Sequence, residues 1–310
     1  MSNKDYSFFS FQAMGTECRV QCDCPSHAEA DAFKKQTVEW VRSFEQEFSR
    51  FNPDSLVSRI NAAAGSKWVE LSPEAESLFS LCDWFFWATR GIFDPAMLPL
   101  IQLWDYHAPR HGIPDDDEIA SALTRCGWNQ VQRQKGRIFL PTAGMGLDVG
   151  GIGKEYAVDR VFDMGIKRGI RNLLVDFGHD LRACGEPPEG GPWRIGLENP
   201  EDAGHCWGGV SIRDRAVATS GDYLRYFTDN GDRYGHILDP RTGRPVQNGT
   251  ASVSVVGATC TEAGILSTSA FILGGEAGLD LLNSTYTAEG CINEKGRQYH
   301  SRRFHEYIIS

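Results

Sequence analysis

The stretch Leu147-Asp148-Val149-Gly150-Gly151-Ile152-Gly153-Lys154-Glu155-Tyr156 leads from a short apolar segment through three glycines into a helical pattern. A Walker loop ending at Gly153-Lys154 would need a glycine five residues before Gly153 and a Ser or Thr after the lysine. Here those positions hold Asp148 and Glu155. A dinucleotide fingerprint counted from Gly151 is met at Gly153 and fails at Tyr156, where its third glycine belongs. What remains is a glycine turn at a helix N-terminus. It is either a place where backbone N–H groups approach a phosphate, with Lys154 as countercharge, or an ordinary tight turn.

Upstream of this turn, Phe9 to Cys24 is rich in β-favouring residues around Gly15 and reads as a hairpin arm. A helix follows: Ser26 and Glu29 have capping-box spacing, and Val38, Val41, Phe44, Phe48 and Phe51 recur at three- and four-residue steps. A second helix starts at the cap Ser72 with Pro73 in its first turn and runs to Gly91. Asp105 to Asp117 reads as a loop and Glu118 to Cys126 as a short helix. Downstream, strands are predicted at Arg137 to Leu140, Asn172 to Phe177, Trp193 to Leu197, Val210 to Ile212, Tyr234 to Leu238 and Ala251 to Val256. Helices from about Glu155 to Lys167 and from Glu262 to Leu273 interrupt them. There is no strict alternation of strand and helix, so the expected class is α+β rather than a doubly wound parallel sheet. No 20- to 50-residue repeat and no linker divides the chain.

The 310 residues carry 31 Lys plus Arg against 41 Asp plus Glu, a formal charge of −10. That sign argues against a nucleic-acid partner, so any phosphate must be held locally. The longest apolar stretch, Leu78 to Ala88, contains Asp83 and is too short to span a bilayer, so no membrane insertion is expected. No export signal is evident near the N-terminus, and the nine scattered cysteines read as reduced thiols. A cytoplasmic protein is therefore expected. Cys22 and Cys24 would share one face of a strand, as buried thiols in preference to a zinc site.

Several residues could carry chemistry. His236 lies in a predicted strand that enters the turn Asp239-Pro240-Arg241-Thr242-Gly243, and it could be a general base, a phosphate contact or a packed histidine. Asp94 follows a helix-ending glycine in Gly91-Ile92-Phe93-Asp94-Pro95, where an Asx-type turn is the simplest reading. Phe51 could stack on a flat ring, but its helical spacing favours the core. The polar run Thr219 to Tyr223 lacks a triad partner and no nucleophile elbow occurs, so serine-hydrolase chemistry is unsupported.

Together these segments are far more specific. Met14-Gly15-Thr16, Phe48-Ser49-Arg50-Phe51 with Ser55 to Asn61, Gly91 to Pro99 with Trp104, Leu147 to Asp159, Asp176-Phe177-Gly178, Ala218 to Tyr223 and His236 to Gly243 occur in one order. In that order the chain resembles the ApbE family of FAD:protein FMN transferases, with the motifs spread over about residues 8–275. The resemblance implies a single domain over 1–310, made of two intimately packed α/β subdomains with mixed sheets and an FAD site between them. Residues 276–310 would add C-terminal strands that complete it. It implies a magnesium-dependent reaction that splits the FAD pyrophosphate, attaches FMN to a Thr or Ser of an acceptor flavoprotein and releases AMP. By matching positions, Met14, Phe51, Ile92, Phe93, Asp94, Asp148, Lys154 and Leu238 fall on FAD contacts. His236 and Lys154 fall on catalytic positions, and the Gly151 carbonyl and Thr268 hydroxyl on Mg2+ ligands.

The chain departs from the family pattern at three places. Gly264 stands where the family has a metal-binding Asp, one helical turn before Thr268; Glu155 stands where Gly is usual; and His179 replaces a second glycine after Gly178. Besides active transfer, two readings therefore stay open: an FAD-binding homologue with lost or weakened magnesium-dependent transfer, and an FAD pyrophosphatase. Glu155 is one candidate to supply the missing negative charge.

Overall fold

The computed structural model describes residues 6–105, 112–200, 202–222 and 226–309. Tyr223 of the polar run and residues 106–111 of the predicted loop lie outside them. The largest sheet has eight strands, in spatial order Ser7–Ala13, Thr16–Cys22, Leu173–Phe177, Asp180–Cys184, Arg215–Gly221, Thr250–Gly257, Glu289–Glu294 and Arg297–His300. Spatial neighbours are thus successive along the chain, yet the chain leaves the sheet repeatedly to build what covers it. Every pairing is antiparallel, so the mixture in this α+β fold lies in helices among sheets and not in strand direction.

Local chemistry explains the opening hairpin. Met14 and Gly15 both have positive φ, 54° and 71°, the two-residue turn whose twist matches paired strands. The excursion before the third strand of the sheet holds helices α1 (His27–Phe48), α2 (Leu56–Ala62), α3 (Pro73–Ala88), α4 (Leu98–Leu103), α5 (Asp116–Leu123) and α6 (Gly153–Lys167). Ser26 Oγ accepts the Glu29 N–H at 3.2 Å to start α1, and Ser72 Oγ accepts the Ala75 N–H at 3.0 Å to start α3. Phe33, Val41, Phe44 and Phe48 bury one stripe of α1. The helix stops at Phe48, so Phe51 leaves the stripe and stands exposed, contrary to its helical spacing. Helices α7 (Cys260–Leu273) and α8 (Gly275–Asn283) follow the sixth strand; α8 occupies the start of the region expected to hold only C-terminal strands, and the last two strands form the far edge of the sheet.

Both faces of the sheet's central strands are buried. On one side Ala218, Val253 and Val255 pack with Ala263, Leu266 and Ala270 of α7. On the other, Val217 and Val256 pack with Leu181, Trp193, Val210 and Phe304, under a ribbon formed by Trp193–Asn199 and Asp202–Ile212. The predicted strand Tyr234 to Leu238 is split into Asp232–Gly235 and Leu238–Asp239, which leaves His236 in the bend between them.

Helices α6 and α7 lie side by side on the sheet and are pinned by one carboxylate. Buried Asp159 of α6 accepts the Cys260 N–H at 2.9 Å, the Thr261 N–H at 2.8 Å and the Thr261 hydroxyl at 2.7 Å. Arg182 Nη1 meets it at 2.9 Å. These donors satisfy the first turn of α7 and neutralise the buried charge. An amide cannot serve all of them, because its NH2 would face a donor. Asp159→Asn is therefore expected to lower unfolding free energy by about 3 kcal/mol. Urea denaturation at neutral pH checks this, and an unchanged midpoint would contradict the clamp.

Candidate active site

Three chain segments are knitted together beside the glycine turn. Asn61 of α2 holds Leu147 by both backbone groups, its Oδ1 accepting the Leu147 N–H at 2.7 Å and its Nδ2 donating to the Leu147 carbonyl at 3.0 Å. The next N–H, of Asp148, donates to the Pro95 carbonyl at 2.9 Å, which joins this strip to the Asp94 loop. The Asp148 carboxylate accepts the Gly150 N–H at 2.6 Å and pairs with Arg50 Nε at 2.5 Å. The Arg50 guanidinium in turn lies 4.2 Å from the centre of the Phe51 ring. The segments carrying Phe51, Asp94 and Asp148, far apart in sequence, are thus joined at one place. Phe51 is 77% exposed, an aromatic face turned to solvent.

Asp94 forms the expected Asx turn, accepting the Ala96 N–H at 2.7 Å, and also takes the Trp128 N–H at 3.1 Å. Burial pushes its carboxyl up to about 6 against the pull of those two amides. It opens onto a cleft of about 220 Å³ shared with Gly91, Met97, Pro240 and Arg241. Ile92 is buried beside Ile237, and Leu238 beside Met97 and Trp104, so the loop carrying His236 packs against the Asp94 loop. Phe93 is half-buried, and its N–H donates to Thr89 Oγ1 at 3.0 Å. Met14, at the first hairpin turn, donates its N–H to Glu45 Oε1 at 2.8 Å. A neighbouring turn joins the Gly178 N–H to the Glu17 carbonyl at 3.1 Å. There His179 has φ 72°, a left-handed backbone that glycine enters freely, which accounts for the glycine expected at this position.

The second half of the site is a cluster of hydroxyls and charges between α6, α7 and the sheet. Lys154 pairs with Asp180 and lies 3.7 Å from Glu155 Oε1. Burial alone would lower its pKa, but the two carboxylates outweigh that and hold the ammonium charged. Its charge is thus already met by protein groups, a different setting from a lysine standing open to a phosphate. Glu155 is pushed well above the usual carboxylate range, chiefly by burial and further by Asp180, against the opposing pull of Lys154. Asp180 Oδ1 accepts the Thr219 N–H at 3.1 Å. Ser220 Oγ lies 2.8 Å from both Ser267 Oγ and Thr268 Oγ1. Gly151 sits in the exposed turn at the start of α6, a helix whose N-terminus has no side-chain cap. Asp159 and Asp180, which organise this cluster, carry no motif spacing that would single them out in the sequence.

The sequence pattern of the ApbE family matches residues 14–292. The chain belongs to the ApbE family. It is 32% identical over 286 residues to the FAD:protein FMN transferase of Treponema pallidum (strain Nichols), spanning 87% of this chain and 79% of that protein. The crystal structure of the ApbE protein from Thermotoga maritima superposes with a TM-score of 0.89 at 30% identity, over 99% of this chain and 100% of that one. The flavin transferase ApbE from Vibrio cholerae superposes with a TM-score of 0.88 at 26% identity, over 98% and 99% respectively. Within this ApbE protein, no helix of the described residues is long and apolar enough to cross a membrane.

The raised Asp94 carboxyl has a defined consequence for stability. Its folded pKa of about 6 exceeds its ordinary value of 3.8, so the folded chain keeps this proton longer than the unfolded chain. The associated stabilisation is complete below pH 3.8 and is lost as pH rises through about 6. Asp94→Asn, which has no charge to bury, should therefore gain in melting temperature relative to the parent between pH 4 and pH 7. A difference that stays constant across thermal melts over that range would refute the assignment.

Proposed function

We propose that this chain transfers FMN from FAD to a Thr or Ser hydroxyl of an acceptor flavoprotein and releases AMP. The observation that carries this reading is the joining of Arg50-Phe51, Asp94-Pro95 and Leu147 to Gly150 into one surface beside the uncapped start of α6. The exposed Phe51 ring suits stacking on a flat flavin ring. The N–H groups at the head of α6 suit a pyrophosphate. Met14, Ile92, Phe93, Asp94, Asp148 and Leu238 would line the FAD site between the sheet and the helical excursion, within a single domain.

In the reaction, the acceptor hydroxyl oxygen attacks the phosphorus of the FMN half. The bond from that phosphorus to the bridging oxygen breaks, and AMP leaves with the oxygen. The hydroxyl proton passes to a base, for which half-buried His236 is the candidate. Lys154 would counter phosphate charge next to the glycine turn where bound substrate draws it from its pairing with Asp180.

The donor set of the polar cluster fits a hard cation in kind. It offers hydroxyls of Ser220, Ser267 and Thr268, and the buried Glu155 Oε2 has no hydrogen-bond partner. Gly151, through its carbonyl, and Thr268 would hold Mg2+, which when bound would offset negative charge on the pyrophosphate. Among the described residues no group of three or more His, Cys, Asp or Glu side chains forms a metal cage, so oxygen ligands other than carboxylates must supply much of the set. Nine free cysteines support a reducing, cytoplasmic setting.

Two outcomes are expected. With FAD, Mg2+ and an acceptor flavoprotein, AMP release should depend on the acceptor and leave FMN covalently attached. Free FMN without acceptor would instead mark a pyrophosphatase, and FAD binding without turnover would mark a binding protein. Separately, Phe51→Ala should weaken FAD binding in a fluorescence titration while changing stability by less than about 0.5 kcal/mol, since the ring is exposed. Unchanged affinity would remove Phe51 from the flavin site.

A further inference from the structure

Glu155 and Gly264 occupy one space. A Cβ built on Gly264 would lie 2.5 Å from Glu155 Cγ, 3.1 Å from its Cδ and 3.3 Å from its Oε1. A side chain at 264 therefore requires the Glu155 side chain to leave the position it holds here. The Cγ methylene of Glu155 rests where any side chain of α7 at this position would begin, with the carboxyl group just beyond it. Gly264 lies one helical turn before Thr268, on the same stripe of α7, so the Glu155 carboxylate enters at the stripe that presents the Thr268 and Ser267 hydroxyls. The Cα–Cβ bond of Glu155, as in any helix, tilts toward the N-terminal turn carrying Gly151. One carboxylate oxygen faces Lys154 at 3.7 Å, while Oε2 is buried and has no hydrogen-bond partner. A buried carboxyl oxygen without a partner is costly, and a divalent cation is a group that would satisfy it and favour the ionised form.

We propose that Glu155 is the carboxylate ligand of the divalent cation in this chain, supplied from α6 in place of a side chain at 264 on α7. The carboxylate has changed helices while keeping its place in the cluster, and Gly264 is small because the glutamate needs the room. This rests on the metal-dependent reading given above. It also explains why a helix interior tolerates glycine, which costs up to about 1 kcal/mol relative to alanine where nothing demands it.

The test is Mn2+ binding to the full-length protein, measured from the electron paramagnetic resonance signal of the free ion, with thermal melts of each variant. The parent chain should bind Mn2+, and Glu155→Gln should bind it at least about tenfold more weakly, the minimum loss seen even for residues that only support a ligand. The exchanged pair Glu155→Gly with Gly264→Asp should regain binding, whereas Gly264→Asp alone should melt lower because its side chain meets Glu155. If Glu155→Gln does not fold, the exchanged pair decides: regained binding supports the proposal and absent binding overturns it. Mn2+ binding unchanged in Glu155→Gln overturns this proposal and leaves metal-dependent transfer standing. A parent chain that binds no Mn2+ overturns it as well, and acceptor-dependent AMP release without any divalent cation would then locate the failure in the metal-dependent reading.

Discussion

The clamp of Asp159 on the first turn of α7 is the constraint from which the arrangement of the site follows. A helix start leaves backbone donors unsatisfied, and a buried carboxylate needs several donors. Each need meets the other here, with Arg182 from the sheet closing the charge balance. Because the clamp is directional, it sets how α6 and α7 lie along each other. One turn before Asp159, α6 presents Glu155; one turn into α7 from Thr261 lies Gly264. The close approach of these two residues is thus a geometric consequence of a bond made one turn away.

Around that contact the chain concentrates polar groups that a folded core ordinarily avoids. Lys154, Glu155 and Asp180 lie together with the hydroxyls of Thr219, Ser220, Ser254, Ser267 and Thr268. Lys154 serves two carboxyl groups, burial pushes Glu155 well above the usual carboxylate range, and its Oε2 has no hydrogen-bond partner. Such an arrangement is expensive as pure structure, because partly satisfied buried networks destabilise. Under the proposal above, a cation would complete it. The opposite side of the glycine turn differs: Asn61 satisfies both backbone groups of Leu147 and Arg50 pairs with Asp148, and beside them Phe51 faces solvent.

Local rules were legible wherever the decisive partner lay within a few residues. The Met14-Gly15 turn, the caps Ser26 and Ser72, and the cores of most strands in the second half are where spacing and composition place them. Misreadings arose where a pattern continued past its physical end. Phe51 keeps helical spacing three residues after α1 has stopped, and Tyr234 to Leu238 has strand composition across a bend at His236. Asp180 was invisible as a site residue because its partners, Lys154 and Thr219, come from other elements.

The sequence by itself determined the local elements, the α+β class, the family resemblance and the inventory of chemistry-bearing residues, including the absent carboxylate at 264 and the extra one at 155. Each of these is encoded by residues close in the chain or by the order of motifs along it. Only the tertiary structure decided that Glu155 fills the space above Gly264, that Lys154 is held by Asp180, and that Phe51 is an exposed platform. Those facts depend on sheet order and on the packing of α6 against α7, which bring together side chains separated by long excursions and leave no periodic trace in the sequence.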